Sequence, residues 1–565
     1  MTLLTTLRPD SLAADLSVGT GLLRAGPANP VAEGVREATR GTQQDLYFLT
    51  SIEDFPPGIG DLGLTHDDAQ GFYDYIAKFS TPNGWYRDGA VGQWIYEETF
   101  DNYLDDFGFD AARVVYHSGH GSMDDNGVFW LPVGNDWGGD VWTSSNDMRL
   151  GNEYARYLFW STCFSLRIKD GHSPLRTWST ANLGLRMIFG YETVSVDNAN
   201  YGKYFFEEWN RSDQTSFSTA FLNASWRISQ NQVPVVAATG ATQAEASSRL
   251  LNERAFSGDR ANTSWYAWRW YDAARARNQN LRIPAGARSA ALAPAPASGR
   301  DLASWAERFN VAVPAGVSEQ ELRRGVTLGS DAGARIAVRV DGSREVHLAQ
   351  TADTRGQISA DQAIKVAQRT IDQYRLVENV DLILDHVRYD RRAGASPDER
   401  VDETVREVTV SFVQVIDGIP VVSPDSGRVQ IRVDNDRTVT GITDSTRTVR
   451  EVREQPAAPP RPDSRKPRTP GIRTPGSSNL AIENEAPSAN TAEIDELLDG
   501  ALQRRLRRAA SGGHLPSGVR AVPTSTEVGY AMREGDAVLV ARREVELDFG
   551  RGLSKRYVLE EPIDS

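Results

Sequence analysis

Between Asp45 and Ala238 the chain alternates short apolar runs with stretches of helical periodicity, and this alternation restricts the fold more than any other feature. The strand-like runs are Leu46 to Ile52, Arg113 to His117, Tyr157 to Thr162, Leu185 to Phe189 and Val233 to Ala238. Between them lie helix-like stretches: Thr65 to Phe79, opened by a capping-box-like Thr-His-Asp-Asp; about Asp147 to Arg156; Pro174 to Asn182; and Tyr201 to Arg211 with Phe217 to Gln230. A strand buried on both faces is apolar throughout, and parallel neighbours need a crossover between them. The expected fold class is therefore α/β, a mainly parallel sheet with helices on both faces, whose chemistry gathers beyond the carboxyl ends of the strands.

The remaining chain is of different material. All 13 tryptophans fall between Trp85 and Trp305. Residues 1–40 lack periodicity and read as a leader or prosegment, and 41–280 form the α/β unit. Residues 281–300, rich in Ala, Pro and Ser, read as a linker. A second unit, 301–452, combines a helix-like Ser359 to Gln373 with strands Val405 to Val415, Gly427 to Val433 and Thr438 to Thr443, the first two separated by an Asp417-Gly418 turn. Residues 453–490 have the Pro, Arg, Ser and Asn content of a disordered linker. A tail, 491–565, resumes with an amphipathic helix, Ile494 to Ala509, and strands near Glu527 to Tyr530, Ala537 to Leu547 and Lys555 to Leu559.

With one cysteine among 565 residues, no disulfide forms within the chain. No basic n-region precedes an apolar h-region, and no run approaches the roughly 18 apolar residues of a spanning helix, so a soluble, cytoplasmic protein without membrane contact is expected. The net charge of −14 is concentrated: residues 41–150 carry 19 acidic against 4 basic residues. That balance repels nucleic acid and favours a basic substrate or a divalent cation, a solvated acidic face being the plain alternative.

Two residues stand where this fold would place chemistry. Cys163 ends the run Tyr-Leu-Phe-Trp-Ser-Thr-Cys, and His120 lies 43 residues earlier in a Ser-Gly-His-Gly turn that ends another apolar run. A thiol with a pKa near 8.5 is only a few per cent ionised at neutral pH, so a nearby imidazole must generate the thiolate and then protonate the departing amine. Glycine after the histidine lets backbone approach a carbonyl oxygen closely. Taken alone, Cys163 reads as a core residue, since free cysteine is among the most buried types. His117, three residues before His120, competes for the role of base, and His172 reads as surface.

The segment Arg-Val-Val-Tyr-His-Ser-Gly-His-Gly (113–121) resembles the strand-to-loop His-Gly motif of the caspase-like cysteine peptidases, the clan of caspases, metacaspases, gingipains, separase and the CHAT proteases. Tyr-Leu-Phe-Trp-Ser-Thr-Cys-Phe-Ser (157–165) is similar to the next strand of those enzymes, which ends in the nucleophile. The resemblance covers roughly residues 45–240. It implies a caspase-like sheet with Cys163 as nucleophile, His120 as general acid and base, and Gly121 as a backbone donor to the oxyanion together with the amide of Cys163. Protein or peptide substrates are implied, and no cofactor. Some members bind calcium through acidic loops, which leaves calcium open here, although Asp124-Asp125-Asn126-Gly127 reads most simply as a tight turn joining two strands. Asp136, Asp140 and Asp147, in a Trp- and Gly-rich loop, are candidates to bind a substrate's Arg or Lys.

In the second unit, Ile-Ser-Ala-Asp-Gln-Ala-Ile-Lys-Val-Ala-Gln (358–368), Val-Ser-Phe-Val-Gln-Val-Ile-Asp-Gly-Ile-Pro-Val (410–421) and Val-Gln-Ile-Arg-Val-Asp-Asn-Asp-Arg-Thr-Val (429–439) are similar to PepSY and thermolysin-propeptide modules. Those small α+β units accompany peptidases as inhibitors or folding aids, so contact between the catalytic and C-terminal parts is expected. The resulting expectation is a cysteine endopeptidase favouring basic residues before the cut, with self-processing at Arg461, Arg465, Arg468 or Arg473 of the Pro-rich linker. The alternatives are a non-catalytic binding protein or scaffold of the same fold, and a cysteine hydrolase or acyl transferase acting on small amides.

Overall fold

The computed structural model describes residues 3–4, 46–211, 215–275, 277–283, 288–292, 299–311, 326–329, 334–339, 342–348, 356–377, 380–454, 489–510, 516–533 and 535–563. The leader and the Arg-bearing linker, with Arg461, Arg465, Arg468 and Arg473, lie outside them apart from Leu3–Leu4 and the linker's two ends.

The apolar runs become strands β1 (Leu46–Ser51), β3 (Val114–Ser118), β4 (Tyr157–Ser161), β5 (Met187–Tyr191) and β6 (Pro234–Gly240), and sequence reading missed β2 (Thr81–Arg87) and β7 (Trp265–Arg275). Their order is β2-β1-β3-β4-β5-β6-β7, parallel from β2 to β5 and antiparallel from there on. Every residue of β1, β3, β4, β5 and β6 is buried, which is why these strands read as continuous apolar runs. On one face, α1 (Thr65–Ile76), α2 (Tyr201–Trp209) and α3 (Phe217–Ile228) pack Phe72, Phe205, Phe206 and Phe221 against Tyr116, Phe159 and Phe189, and α4 (Gln243–Asn252) adds Ala246 and Leu250. On the other face Trp160 and Trp178 lead a core closed by short helices, a small three-stranded sheet (Ser122–Met123, Phe129–Pro132, Trp142–Ser144) and the C-terminal unit. Within the α/β unit the longer helices thus lie on the first face and the short ones, Asp101–Phe107 and Pro174–Trp178, on the second.

Two local expectations are overturned. Thr65 and Asp68 form no capping box: the Thr65 hydroxyl donates to Ile52 O at 2.8 Å, and Asp68 turns inward to accept from Tyr116 and Ser118. About Asp147 to Arg156 is not a helix. The buried Asp110 carboxylate collects the amides of Gly151, Glu153, Tyr154 and Ala155 at 2.7–3.2 Å, which holds that segment as an irregular turn.

The second unit continues the same sheet. β7 pairs antiparallel with β8 (Asp381–Ala395) over ten residues, followed by β9 (Arg400–Ile416), β10 (Arg428–Asp434) and β11 (Val439–Asp444). Helix α5 (Ala360–Tyr374) packs beside β9 and β10 behind a true capping box of Ser359 and Gln362. The linker reading of 281–300 fails in part: Arg288–Leu292 is a strand between Val449–Glu454 and β12 (Asp536–Gly550). β12 turns back through β13 (Leu553–Pro562), and α6 (Ala489–Ala510) lies against both. This β12–β13 hairpin reaches the carboxyl ends of the parallel strands.

Candidate active site

The chain leaves β1 for β2 on one side and then crosses to β3 on the other, so the order reverses at β1 and opens a crevice beyond β1 and β3. Along β3, His117 and Ser118 point to opposite faces. His117 Nδ1 lies 2.8 Å from Thr50 Oγ1 and 3.0 Å from Tyr96 OH, while its Nε2 is buried without a hydrogen-bond partner. A Cβ on Gly119 would stand 2.6 Å from that Nε2, so only glycine lets the chain turn over the ring. Ser118 donates to Asp68 Oδ2 at 2.8 Å, and Asp68 Oδ1 also receives Tyr116 OH and Gly202 N. Burial raises the Asp68 pKa against these hydrogen bonds.

His120 follows. Its ring lies between Phe55 and Phe549, at centroid distances of 4.9 and 5.0 Å. Nε2 donates to Gly60 O at 2.9 Å, which assigns the proton to that nitrogen and leaves Nδ1 buried with an unused lone pair. Burial, seconded by the Lys555 ammonium, lowers both His117 and His120 to about 3, so both rings are neutral. The Gly60 loop is braced by a chain sequence analysis did not find: Ser51 Oγ meets His66 Nδ1 at 2.8 Å, His66 Nε2 meets Asp88 at 2.9 Å, and Asp88 accepts the amides of Glu53 and Asp54.

Cys163 is fully buried just past β4. Its Sγ accepts from Ser195 N at 3.3 Å, lies 3.5 Å from Ser195 Oγ and donates to Ser554 O at 3.0 Å. The next residue, Phe164, has φ 57°, a left-handed conformation that a bulky side chain adopts at a cost of about 1–3 kcal/mol. A Cβ on Gly121 would stand 2.7 Å from Cys163 O and 3.0 Å from Thr162 Cβ, so the His-Gly loop lies against the cysteine turn. His120 and Cys163 do not hydrogen-bond to each other. Both face the β12–β13 hairpin, which sets Phe549 on the imidazole and Ser554 on the thiol.

Between them sits Lys555, 1 % exposed, its Nζ donating to Gly119 O at 3.2 Å and Ser195 Oγ at 3.1 Å. Nothing in the sequence links Lys555 to Cys163, 392 positions apart. Ser195 carried no local signal either, standing six residues past the apolar run that ends at Phe189.

The acidic candidates lie elsewhere. Asp136 and Asp140 are exposed on the loop between Phe129–Pro132 and Trp142–Ser144, with their amides bonded to Gly89 O and Gln93 Oε1. Asp147, also exposed, accepts from Ser144 Oγ at 2.6 Å. None of these contacts includes His120, Cys163 or the hairpin. Asp124 to Gly127 is the expected turn between two strands, with Gly127 N bonded to Asp124 O. His172 is buried beside Arg167, not a surface residue. No cluster of three or more metal-ligating side chains occurs among the described residues.

Fold and site define an α/β protein that presents an imidazole and a thiol beyond neighbouring parallel strands at a switch point. A family model described as "Domain of unknown function (DUF6345)" matches residues 50–270, from β1 into β7, and takes in His120, Cys163 and Ser195 but not the hairpin. No curated protein and no solved structure matches the chain.

Proposed function

We propose that the α/β unit is a caspase-like cysteine peptidase acting through Cys163 and His120. The observation that carries this reading is the placement of the two residues past adjacent strands β3 and β4, with Gly121 backbone packed against the cysteine turn. In the reaction, Cys163 yields its proton to His120 and forms a C–S bond to the substrate carbonyl. The C–N bond breaks and the amine leaves with the proton from His120. Water then cleaves the thioester, releasing the acid and restoring the thiol. The amides of Gly121 and Cys163 would face the developing oxyanion, where one lost donor costs roughly 3–4 kcal/mol. The acidic surface around residues 41–150 supports basic peptides as substrates, and the PepSY-like second unit is proposed to regulate the enzyme or present substrates to it.

A specific observation favours the non-catalytic reading: the thiol is fully buried, and the imidazole spends its N–H on Gly60 O. Peptide-library hydrolysis by the full chain, beside Cys163→Ala and His120→Ala, decides between them, with cuts read by sequencing new termini, including any at Arg461 to Arg473. Cleavage lost in both variants supports the peptidase; cleavage equal in all three proteins rejects it.

A further inference from the structure

The β12–β13 hairpin docks on the candidate site as a peptide would. Arg556 N donates to Ser195 O at 3.1 Å, Asp197 N donates to Arg556 O at 2.8 Å, and Val196 and Arg556 form an isolated parallel bridge, so residues 554–556 run alongside 195–197 in the manner of strand addition. Strand addition of this kind uses main-chain hydrogen bonds for affinity and leaves alternate side chains to fill pockets. Here the Lys555 side chain fills the space between Gly119 O and Ser195 Oγ, while the carbonyl of Ser554 receives the Cys163 thiol. Helix α6 adds a clamp: Arg505 pairs with the buried Asp197 and lies over the Tyr557 ring at 4.4 Å. Phe549 closes over His120.

In this arrangement neither reactive group can meet a substrate. The thiol proton is spent on Ser554 O, and the amides of 195–197 are already paired with Cys163 Sγ, Tyr201 OH and Arg556 O. The Lys555 ammonium is buried against two neutral partners, a carbonyl and a hydroxyl, which is a costly way to hold a charge. A contact that carries such a penalty is weaker than the hairpin's apolar packing alone would make it. Resting on the peptidase reading for its purpose, we propose that the β12–β13 hairpin is a built-in inhibitor that occupies the peptide groove and keeps Cys163 latent until the hairpin is displaced.

Two measurements on the full chain test this separately from the peptidase reading. In wild type, the iodoacetamide alkylation rate of Cys163 is expected to follow the hydrogen-exchange rate of the Arg556 amide, because one opening exposes both. In Lys555→Glu, where a carboxylate would face the Gly119 carbonyl, both rates are expected to rise about tenfold or more. Faster alkylation with no peptide hydrolysis supports the plug and rejects the peptidase. Alkylation of wild type at the rate of a free thiol, with Arg556 still protected, overturns the plug, as does an unchanged Cys163 rate in Lys555→Glu whose far-UV spectrum and unfolding midpoint match wild type. The wild-type comparison stands even if the variant does not fold.

Discussion

At the residue scale, the site is governed by what burial does to ionisable groups. His120 binds its proton near pH 3 in the folded chain against 6.5 when exposed. Between those values the unfolded chain holds a proton that the folded one refuses. The stabilisation from keeping His120 neutral is thus complete above about pH 6.5 and disappears as pH falls toward 3, by up to about 1.4 kcal/mol per pH unit. Asp105 and Asp110, raised by burial to about 7 and 6, act in the opposite direction, so total stability does not isolate the histidine. The difference in unfolding free energy between wild type and His120→Asn does, since both carry the same aspartates. It is expected to shrink on acidification from pH 6.5 to 4.5 in urea titrations, and a difference independent of pH would contradict a neutral buried ring. The identity of His120 and Cys163 as the pair of interest was legible in the sequence because each ends an apolar run. Their engagement with Gly60 O, Ser195 and Lys555 was not, since those contacts are set by loops and by a distant hairpin that no local periodicity encodes.

At the element scale, polar side chains decide where the regular structure stops. The turn before β4 exists because one buried carboxylate, Asp110, satisfies four amides of residues 151–155, and its burial leaves no water to replace them. Asp110→Ala is expected to destabilise the protein by about 4 kcal/mol, whereas Asp140→Ala, an exposed carboxylate on the neighbouring loop, should change stability by less than about 0.5 kcal/mol. Denaturant midpoints check both, and equal small effects would remove Asp110 from this role. The same residue explains why a helix was expected at Asp147 to Arg156 and is absent. Propensity favoured one, but an acceptor from elsewhere in the chain claimed the backbone donors first. Strands β1, β3, β4, β5 and β6 were legible because burial on both faces writes itself into sequence. β2 was not, as Thr81-Pro82-Asn83-Gly84 carries turn residues in a buried strand at the end of the sheet.

At the scale of the whole molecule, the sheet runs without a break from the α/β unit into the second unit. β7 and β8 share ten paired residues, and Arg269 and Asp390 form a buried bidentate pair at 2.8 Å across that junction. The composition boundary near residues 281–300 thus falls between strands of one continuous sheet. Since 12 of the 13 tryptophans lie in the first unit, between Trp85 and Trp270, fluorescence reports mainly that unit, and hydrogen exchange of β9 and β10 reports the second. Their urea transitions are expected to coincide; midpoints separated beyond error would show two independent units.

The role proposed for Cys163 is that of a nucleophile, activated by His120 and held latent by the hairpin. Its most direct test is the intact mass of Lys555→Glu after exposure to a peptide electrophile carrying Lys or Arg at the reactive position. One covalent adduct, mapped to Cys163, is expected, and it should fail to form when His120→Ala is added although iodoacetamide still reaches the thiol. A Cys163 that iodoacetamide alkylates freely in Lys555→Glu, yet which forms no adduct with the peptide electrophile or forms it equally without His120, would contradict that role.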